Sequence, residues 1–365
     1  MKYAHEAVEW PHFRWDHSVF SANLAAIHFR RGQLVTAMAA LGFKLQQETQ
    51  LSVLVQDVVK SSEIEGEILD AEQVRSSIAR RLGFEHAGLP TPARSVEGVV
   101  EMMLDATQRF EVPLDAERIW GWHAALFPTG RSGMFKIVVG AWRDDKEGPM
   151  QVVSGPIGKE KVHYEAPSAD RLDFEMDQFL CWFEGKSIDP VLKAAIAHLW
   201  FVAIHPLDDG NGRIGRAIMD MALARADGTT QRFYSMSAQI FADRANYYKV
   251  LEINQGPSLD VTRWIEWFLA RMDDALASAE GVLGLVRRKQ TFWADFGARH
   301  LNERQLKVVD RLFEGFEGKL TNEKYAKLAK CSHVTAWRDL NELVEQGVLK
   351  LDDSGGRSTS YSLTV

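Results

Sequence analysis

A twelve-residue segment, 205–216, combines residue types that phosphate chemistry needs. His205 supplies a base whose ordinary pKa lies near neutrality. Asp209 supplies a hard carboxylate oxygen, which Mg²⁺ uses as a ligand alongside substrate phosphates. Gly210 and Gly212 let backbone amides approach a ligand, and a helix that begins there presents unpaired N–H groups to an anion. The segment therefore predicts a phosphate-binding site that also carries a base and a metal ligand.

Two arginines complete this pattern. Arg213 and Arg216 lie three residues apart, so they share one face of the helix that the segment would begin. Guanidinium groups bind phosphate oxygens through paired hydrogen bonds. A base, a metal ligand, an anion site and two arginines together indicate phosphoryl or nucleotidyl transfer. The simpler alternative is that both arginines only bridge to acidic residues on neighbouring helices.

The segment resembles the signature of the Fic family, His-Pro-Phe-x-Asp/Glu-Gly-Asn-Gly-Arg-x-x-Arg, and departs from it only at Leu207. Phe is usual at that position, which is a buried anchor in the family, and Leu can keep the role. The resemblance implies a mainly α-helical bundle with a β-hairpin, the flap, ahead of the motif. It also implies that ATP and Mg²⁺ bind here. AMP would then pass to a Ser, Thr or Tyr hydroxyl of a target protein, with release of pyrophosphate.

The same resemblance gives each motif residue a role. His205 would deprotonate the target hydroxyl, and Asp209 would hold Mg²⁺ on the triphosphate. Arg213 would contact the β-phosphate and Arg216 the γ-phosphate. Three consecutive residues would form the anion site: Gly210, Asn211 and Gly212.

Aromatic residues after the motif are open to two interpretations. Tyr247 and Tyr248 would flank the adenine by the same resemblance, but packing in the core explains them nearly as well. His198 precedes the motif by one heptad on an apolar helix, which favours a core histidine over a second functional one.

A second motif, Ser61-x-x-x-Glu65-Gly66, lies earlier in the chain. Taken alone, a Ser and a Glu four residues apart indicate only a solvated helix face. Beside the first motif, the three residues resemble the inhibitory helix of the Fic family. The Glu65 carboxylate would then pair with Arg216 and keep the γ-phosphate away from it. Glu63 and Glu67 are competitors for that role, although the spacing favours Glu65.

The flap is predicted from two β-favouring runs, 150–153 and 161–164, which glycine and proline separate. An exposed strand edge can pair with an extended peptide through backbone hydrogen bonds. The alternative is a self-contained hairpin that closes the bundle. Five residues are expected to hold the target near the base: Val152, Val153, Val162, His163 and Tyr164.

The elements around these motifs follow from the spacing of apolar residues. On the predicted helix that leads to the second motif, one apolar face is expected along Leu41, Leu45, Thr49, Ser52, Val55 and Val59. Residues 137–139 are expected to form a third β run near the flap. Helices are predicted over residues 18–60, 71–82, 94–110, 115–127, 169–185, 190–204, 211–226, 243–254 and 260–288.

The C-terminal residues follow the order of a winged helix: helices over 320–330 and 335–347, then strands over 348–351 and 360–363 around a turn at 352–357. Residues 301–365 contain ten Lys or Arg and ten Asp or Glu. Because duplex DNA binding depends on neutralising phosphates, this balance predicts weak or absent DNA binding. A protein-interaction or dimerisation module is favoured, and with it a homodimer.

Composition limits the remaining choices. The chain has 365 residues, a formal net charge of −7 and two cysteines, which excludes a disulfide framework. No run near residue 1 resembles a signal peptide, and the most apolar stretch, 188–204, contains charged residues. We therefore expect a cytoplasmic protein that does not span a membrane. Three domains are expected: a helical regulatory region over 1–93, a Fic core over 94–288 and a winged helix over 289–365.

The sequence thus predicts a self-inhibited protein adenylyltransferase that acts on a target protein docked at the flap, and also on itself. Two alternatives stay open. The same site could hydrolyse AMP from a modified protein, with Glu65 orienting water. Alternatively, the chain could be a transcriptional regulator that only senses nucleotide, although such a sensor would need neither His205 nor Asp209.

Overall fold

The computed structural model describes residues 2–85, 88–146, 148–155, 159, 161–186, 188–296, 301–313, 316, 318–352 and 359–364. The chain divides into two compact units, Met1–Ala279 and Glu280–Val365. The structure is mainly helical, as the sequence predicts. No helix in the described ranges combines the length and apolarity that crossing a membrane requires.

The first unit is a bundle of helices with a few short strands. Short 3₁₀ turns occupy Ala4–Glu6 and Ala169–Arg171. The last helix of the bundle, α11, crosses the boundary between the two units. The helices are α1 His17–Ala39, α2 Phe43–Ile64, α3 Ala71–Leu82, α4 Arg94–Gln108, α5 Ala116–Leu126, α6 Leu172–Glu184, α7 Pro190–Ile204, α8 Asn211–Asp227, α9 Met236–Ala242, α10 Arg244–Asn254 and α11 Thr262–Phe296.

The centre of this unit is the pair α7 and α8, which pack against each other. Every residue of α7 after Pro190 is buried, which confirms the prediction of a central helix there. The Asp189 carboxylate begins α7 by accepting the backbone N–H groups of Val191 and Leu192. The C-terminal end of α7 and the N-terminal end of α8 meet at residues 205–210, so the bundle core fixes both ends of the motif loop.

Among the described residues of this unit, four strands form two antiparallel hairpins. The first pairs β1 (Arg131–Ser132) with β2 (Phe135–Lys136), and the second pairs β3 (Gln151–Ser154) with β4 (Lys161–Glu165). The second hairpin is the predicted flap. The prediction of a β run over 137–139 is wrong, because these residues form no strand. The Val138 N–H donates to the Asp208 carboxylate of the motif loop at 2.7 Å and is therefore not available to a neighbouring strand.

Two other predictions about the helices need correction. The expected apolar face of α2 is partly wrong, because Ser52 is exposed while Leu51, Leu54 and Val58 are buried. The prediction also missed α9, which begins where the Ser235 hydroxyl accepts the Ala238 N–H at 3.0 Å.

The second unit has the element order that the sequence predicts for its C-terminal part. Its three later helices are α12 Glu303–Phe313, α13 Asn322–Ala329 and α14 His333–Glu345, followed by the hairpin of β5 (Leu349–Leu351) and β6 (Tyr361–Leu363). Leu340 and Leu343 of α14 pack with Tyr325 of α13 and Val308 of α12 in a separate core. The turn expected at 352–357 lies mostly outside the described residues.

Candidate active site

The motif loop is closed by its own asparagine. The Asn211 side chain donates to the Leu207 carbonyl at 2.7 Å and accepts the Leu207 N–H at 3.0 Å. Leu207 is fully buried, as expected of an anchor. Gly210 has a φ of +83°, a conformation that favours glycine, and α8 begins directly after it. The Asn211 side chain therefore shapes the loop, and only the Asn211 backbone is available to an anion.

His205 ends α7 with a φ of +51°, which non-glycine residues rarely adopt. Its ring Nδ1 lies 3.3 Å from the Val202 carbonyl oxygen. A carbonyl can only accept, so Nδ1 carries the proton and Nε2 keeps its lone pair. Burial lowers the pKa of the His205 imidazole to about 4. The ring is therefore neutral at pH 7 and ready to accept a proton at Nε2.

Asp209 lies between the base and the start of α8. One carboxylate oxygen accepts the Gly210 N–H at 2.5 Å, and the other accepts the Ser132 hydroxyl from β1. Among the described residues, no group of three or more His, Cys, Asp or Glu side chains could hold a metal. A single carboxylate still fits Mg²⁺, which takes most of its other ligands from water and substrate phosphates.

A glutamate side chain occupies the space above the start of α8. A Cβ placed on Gly212 would lie 2.1 Å from Glu65 Oε1, so the carboxylate rests directly against the Gly212 backbone. The first N–H groups of a helix have no partner inside it, and they favour an anion. The Glu65 carboxylate therefore takes the position that the sequence analysis gives to a phosphate.

Arg216 is held by the second motif through three contacts. Its Nε donates to the Ser61 hydroxyl at 2.9 Å, and its Nη2 donates to the Ser61 carbonyl at 2.8 Å. The same Nη2 lies 2.8 Å from Glu65 Oε1. The Arg216 side chain is fully buried, and its Nη1 has no partner among the described residues. The expected pairing of Glu65 with Arg216 is therefore present.

Gly66 has a geometric reason to follow Glu65. Its N–H donates to the Glu63 carbonyl, and the N–H of Glu67 donates to the Ser62 carbonyl, both at 3.0 Å. These two bonds define a Schellman ending of α2, which requires the left-handed φ of +84° at Gly66. The turn directs the chain after Glu65 back toward α8.

A second ion pair at this turn was not predicted from the sequence. Glu67 Oε2 lies 2.6 Å from Arg213 Nη1, so each motif arginine has its own carboxylate. Arg213 also lies over the Phe127 ring, 5.1 Å from its centroid. The sequence feature that could have predicted this ion pair is the two-residue spacing of Glu65 and Glu67, which places both carboxylates on one side of the turn.

The two tyrosines after the motif differ in their surroundings. Tyr247 is buried, and its hydroxyl lies 2.9 Å from Nε2 of the buried His198. Tyr248 is 42% exposed, and its hydroxyl donates to the Ile64 carbonyl at 3.1 Å, beside Glu65. Tyr247 is thus a core residue, and Tyr248 presents the accessible ring of the pair.

The flap residues are also not equivalent. Tyr164 is buried and donates to the Ala203 carbonyl at 2.6 Å, so its side chain anchors the hairpin and cannot contact a target. Val153 is the most exposed of the five and pairs with Val162. Nδ1 of His163 lies 3.3 Å from Oε2 of Glu252 in α10. Val152 is partly buried, and the hairpin register shifts directly after it.

Comparisons with known proteins agree with this geometry. Residues 113–223 match the model of the Fic/DOC family, and residues 3–84 match a domain of unknown function, DUF4172. A protein adenylyltransferase Fic of Nematostella vectensis is 33% identical over 116 residues, or 31% of this chain and 25% of that protein. Protein adenylyltransferase fic-1 of Caenorhabditis elegans is 25% identical over 191 residues, or 50% of this chain and 35% of that one. The matches thus span a quarter to about a third of these relatives.

Solved structures share the fold. A Fic family protein from Desulfovibrio desulfuricans G20 has a TM-score of 0.52 at 22% identity, over 94% of this chain and 96% of that one. A Fic domain containing signaling protein from Bacteroides thetaiotaomicron has the same TM-score at 19% identity, over 71% and 94% of the two chains.

Proposed function

Residues 113–223 of this chain form a Fic/DOC domain, and on that premise we propose that the protein is an adenylyltransferase that modifies other proteins. It transfers AMP from ATP to the hydroxyl of a Ser, Thr or Tyr side chain. The observation that carries the proposal is the placement of His205, whose Nδ1 faces the Val202 carbonyl at the end of α7, directly before the motif loop and the start of α8.

The reaction follows from the order of these groups. Nε2 of His205 takes the proton of the target hydroxyl, whose oxygen then attacks the α-phosphorus of ATP. The bond from that phosphorus to the α,β-bridging oxygen breaks, and pyrophosphate leaves with the electron pair. Mg²⁺ held by Asp209 would neutralise charge on the phosphates. The backbone at Gly212 and the guanidinium of Arg213 bind phosphate oxygens.

Self-inhibition is the second part of the proposal. A phosphate cannot enter above Gly212 while the Glu65 carboxylate lies there, because the two would overlap and repel each other. Nε and Nη2 of Arg216 cannot bind a γ-phosphate while Ser61 and Glu65 hold them. The enzyme becomes active when the turn at Gly66 withdraws from α8.

Target proteins are proposed to dock as an extended strand on the flap, along the outer edge of β3, where Val153 is exposed. Self-modification uses the same edge with a segment of this protein. The second unit, in which residues 301–365 carry ten basic and ten acidic residues, is proposed to bind a protein partner, including a second copy of this chain, in the cytoplasm.

The hydrolase alternative has one observation in its favour. The Glu65 carboxylate acts electrostatically on His205 and is 33% exposed, so it could also orient a water molecule. In that case, Glu65 would be required for removal of AMP.

A nucleotide panel tests the proposal. The Glu65→Gly protein is incubated with Mg²⁺ and each labelled nucleoside triphosphate, and mass spectrometry identifies any modified residue in this protein or in a cell lysate. We expect an AMP adduct on a hydroxyl side chain, and none with Glu65→Gly/His205→Ala. If the label persists without His205, the assignment of the base is wrong.

A further inference from the structure

A buried arginine outside both motifs holds the motif loop. Arg143 lies between β2 and β3, and its side chain is fully buried. Its Nε donates to the His205 carbonyl at 2.8 Å, and its backbone N–H donates to the Pro206 carbonyl at 3.0 Å. Arg143 thus binds the carbonyl groups of two successive residues, His205 and Pro206.

These bonds matter because of the conformation of His205. A non-glycine residue at a φ of +51° keeps that conformation only when its surroundings hold it. The direction of the His205 ring depends on this backbone conformation. By fixing the two carbonyls, Arg143 fixes the peptide groups that aim Nε2 at a substrate.

The rest of the guanidinium reaches the base of the flap. Its Nη2 donates to the Pro167 carbonyl at 2.5 Å, two residues after β4 ends. Its Nη1 donates to Asp145 at 2.7 Å, and the other Asp145 oxygen accepts the Ala169 N–H at 2.6 Å. Arg143 therefore connects the chain after the flap directly to the carbonyl of His205.

We propose that Arg143 is a positioning residue that sets His205 against the flap, so that a hydroxyl docked on the flap meets Nε2. This inference rests on the adenylyltransferase function proposed above. In the described part of the chain, the hydrogen bonds of Arg143 go to His205, Pro206, Pro167 and Asp145 and not to the anion site, so its effect is expected on the transfer step and not on nucleotide binding.

The charge of Arg143 adds a measurable signature. Burial is the main cause of the low pKa of His205, and the Arg143 charge lowers that pKa further. The Glu65 and Asp209 carboxylates act in the opposite direction. Removing the Arg143 charge should therefore raise the pKa of His205, on the order of one pH unit for a neighbouring charge.

The test compares Arg143→Lys with Arg143→Gln in the Glu65→Gly background. We expect both variants to lower kcat by about 10- to 100-fold, as a small misplacement of a reacting group does. The Kd for ATP should stay within about twofold of the Glu65→Gly parent, since the anion site is untouched. Arg143→Gln should also move the acidic limb of the pH–rate profile to higher pH, whereas Arg143→Lys should leave the limb in place.

Arg118→Gln is the matched control, because Arg118 is also largely buried and bonds to Asp105 and several backbone carbonyls away from the motif. It should lower the melting temperature without moving the pH profile. If the acidic limb also stays in place in Arg143→Gln, Arg143 is only structural and the inference is wrong.

A readout without catalysis separates this inference from the proposed function. Histidine NMR, with His205 assigned from a His205→Ala spectrum, gives the pKa of His205 directly. A higher pKa in Arg143→Gln supports the inference even if no AMP transfer occurs in any assay. An unchanged pKa overturns it.

Discussion

Replacing Glu65 by Gly should raise the rate of the proposed AMP transfer. The change removes the carboxylate that rests against Gly212 and frees one N–H of Arg216 Nη2 for the triphosphate, while the Ser61 carbonyl keeps the other. A hydrogen bond to a charged group contributes about 1.5–3 kcal/mol. At about 1.4 kcal/mol per decade, one regained Arg216–phosphate bond gives a gain of about 10- to 100-fold. Because Glu65 is one-third exposed, solvent screening favours the lower end of that range.

The assay measures initial rates of protein labelling from ATP that is labelled in the α-phosphate. Glu65→Gln keeps the shape of the side chain and loses the charge, so it should activate less than Glu65→Gly. Glu63→Gln is the matched control, because Glu63 lies on the same turn but pairs with Lys60, away from the arginines. It should label at the wild-type rate.

Two results would refute the reasoning. If Glu65→Gly labels no faster than wild type, Glu65 does not inhibit the proposed transfer. If the double variant Glu65→Gly/Arg216→Ala keeps the full gain, the relief does not act through the arginine. A third outcome, loss of AMP removal in Glu65→Gly, would favour the hydrolase alternative.

Four further expectations can be checked with the same reagents. In the Glu65→Gly background, His205→Ala should lower the transfer rate by roughly 10²–10⁴-fold and leave ATP binding, measured by calorimetry, intact. Near-normal labelling would contradict this. Activity should stay level from pH 8 to near pH 5 and fall below that, because His205, with a pKa of about 4, can accept a proton only while it is unprotonated. Asp209→Ala should lose the Mg²⁺ dependence of activity, measured by metal titration; an unchanged titration curve would exclude its metal role. Glu67→Gln, which frees Arg213 alone, should add a smaller gain to that of Glu65→Gly, and no gain would show that the second ion pair does not inhibit.

The second unit allows an independent prediction. Because residues 301–365, which make up most of this unit, contain ten basic and ten acidic residues, it should bind duplex DNA weakly and without sequence preference. Fluorescence anisotropy at physiological salt measures this directly. Nanomolar, sequence-specific binding would revive the nucleotide-sensing regulator.

The sequence was most informative where several residue types had to occur at fixed spacings within one element. The loop from His205 to the start of α8 is such a case, because its glycines, arginines and helix start are local features. The pairing of Glu65 with Arg216 was also predictable once both motifs were recognised. Ser61 was identified from its motif, but its double contact with the guanidinium required the structure.

Contacts between distant segments could not be predicted in the same way. Arg143 binds the loop 62 residues away, and Ser132 reaches Asp209 across 77 residues. Neither Arg143 nor Ser132 belongs to a sequence motif with a fixed spacing. An isolated Arg or Ser in a loop has many possible partners. The flap shows the same limit of sequence-based prediction. Tyr164 occurs in a β-favouring run, and only its hydrogen bond to the Ala203 carbonyl reveals that its side chain points into the core.

The measurement that tests the central claim most directly compares two labels in ATP. The Glu65→Gly protein, with Mg²⁺ and ATP labelled in either the α- or the γ-phosphate, is analysed by mass spectrometry beside Glu65→Gly/His205→Ala. The account predicts that the α-label becomes attached to a hydroxyl side chain, that the γ-label does not, and that both are absent without His205. Attachment of the γ-label, or α-labelling that survives the loss of His205, would contradict it.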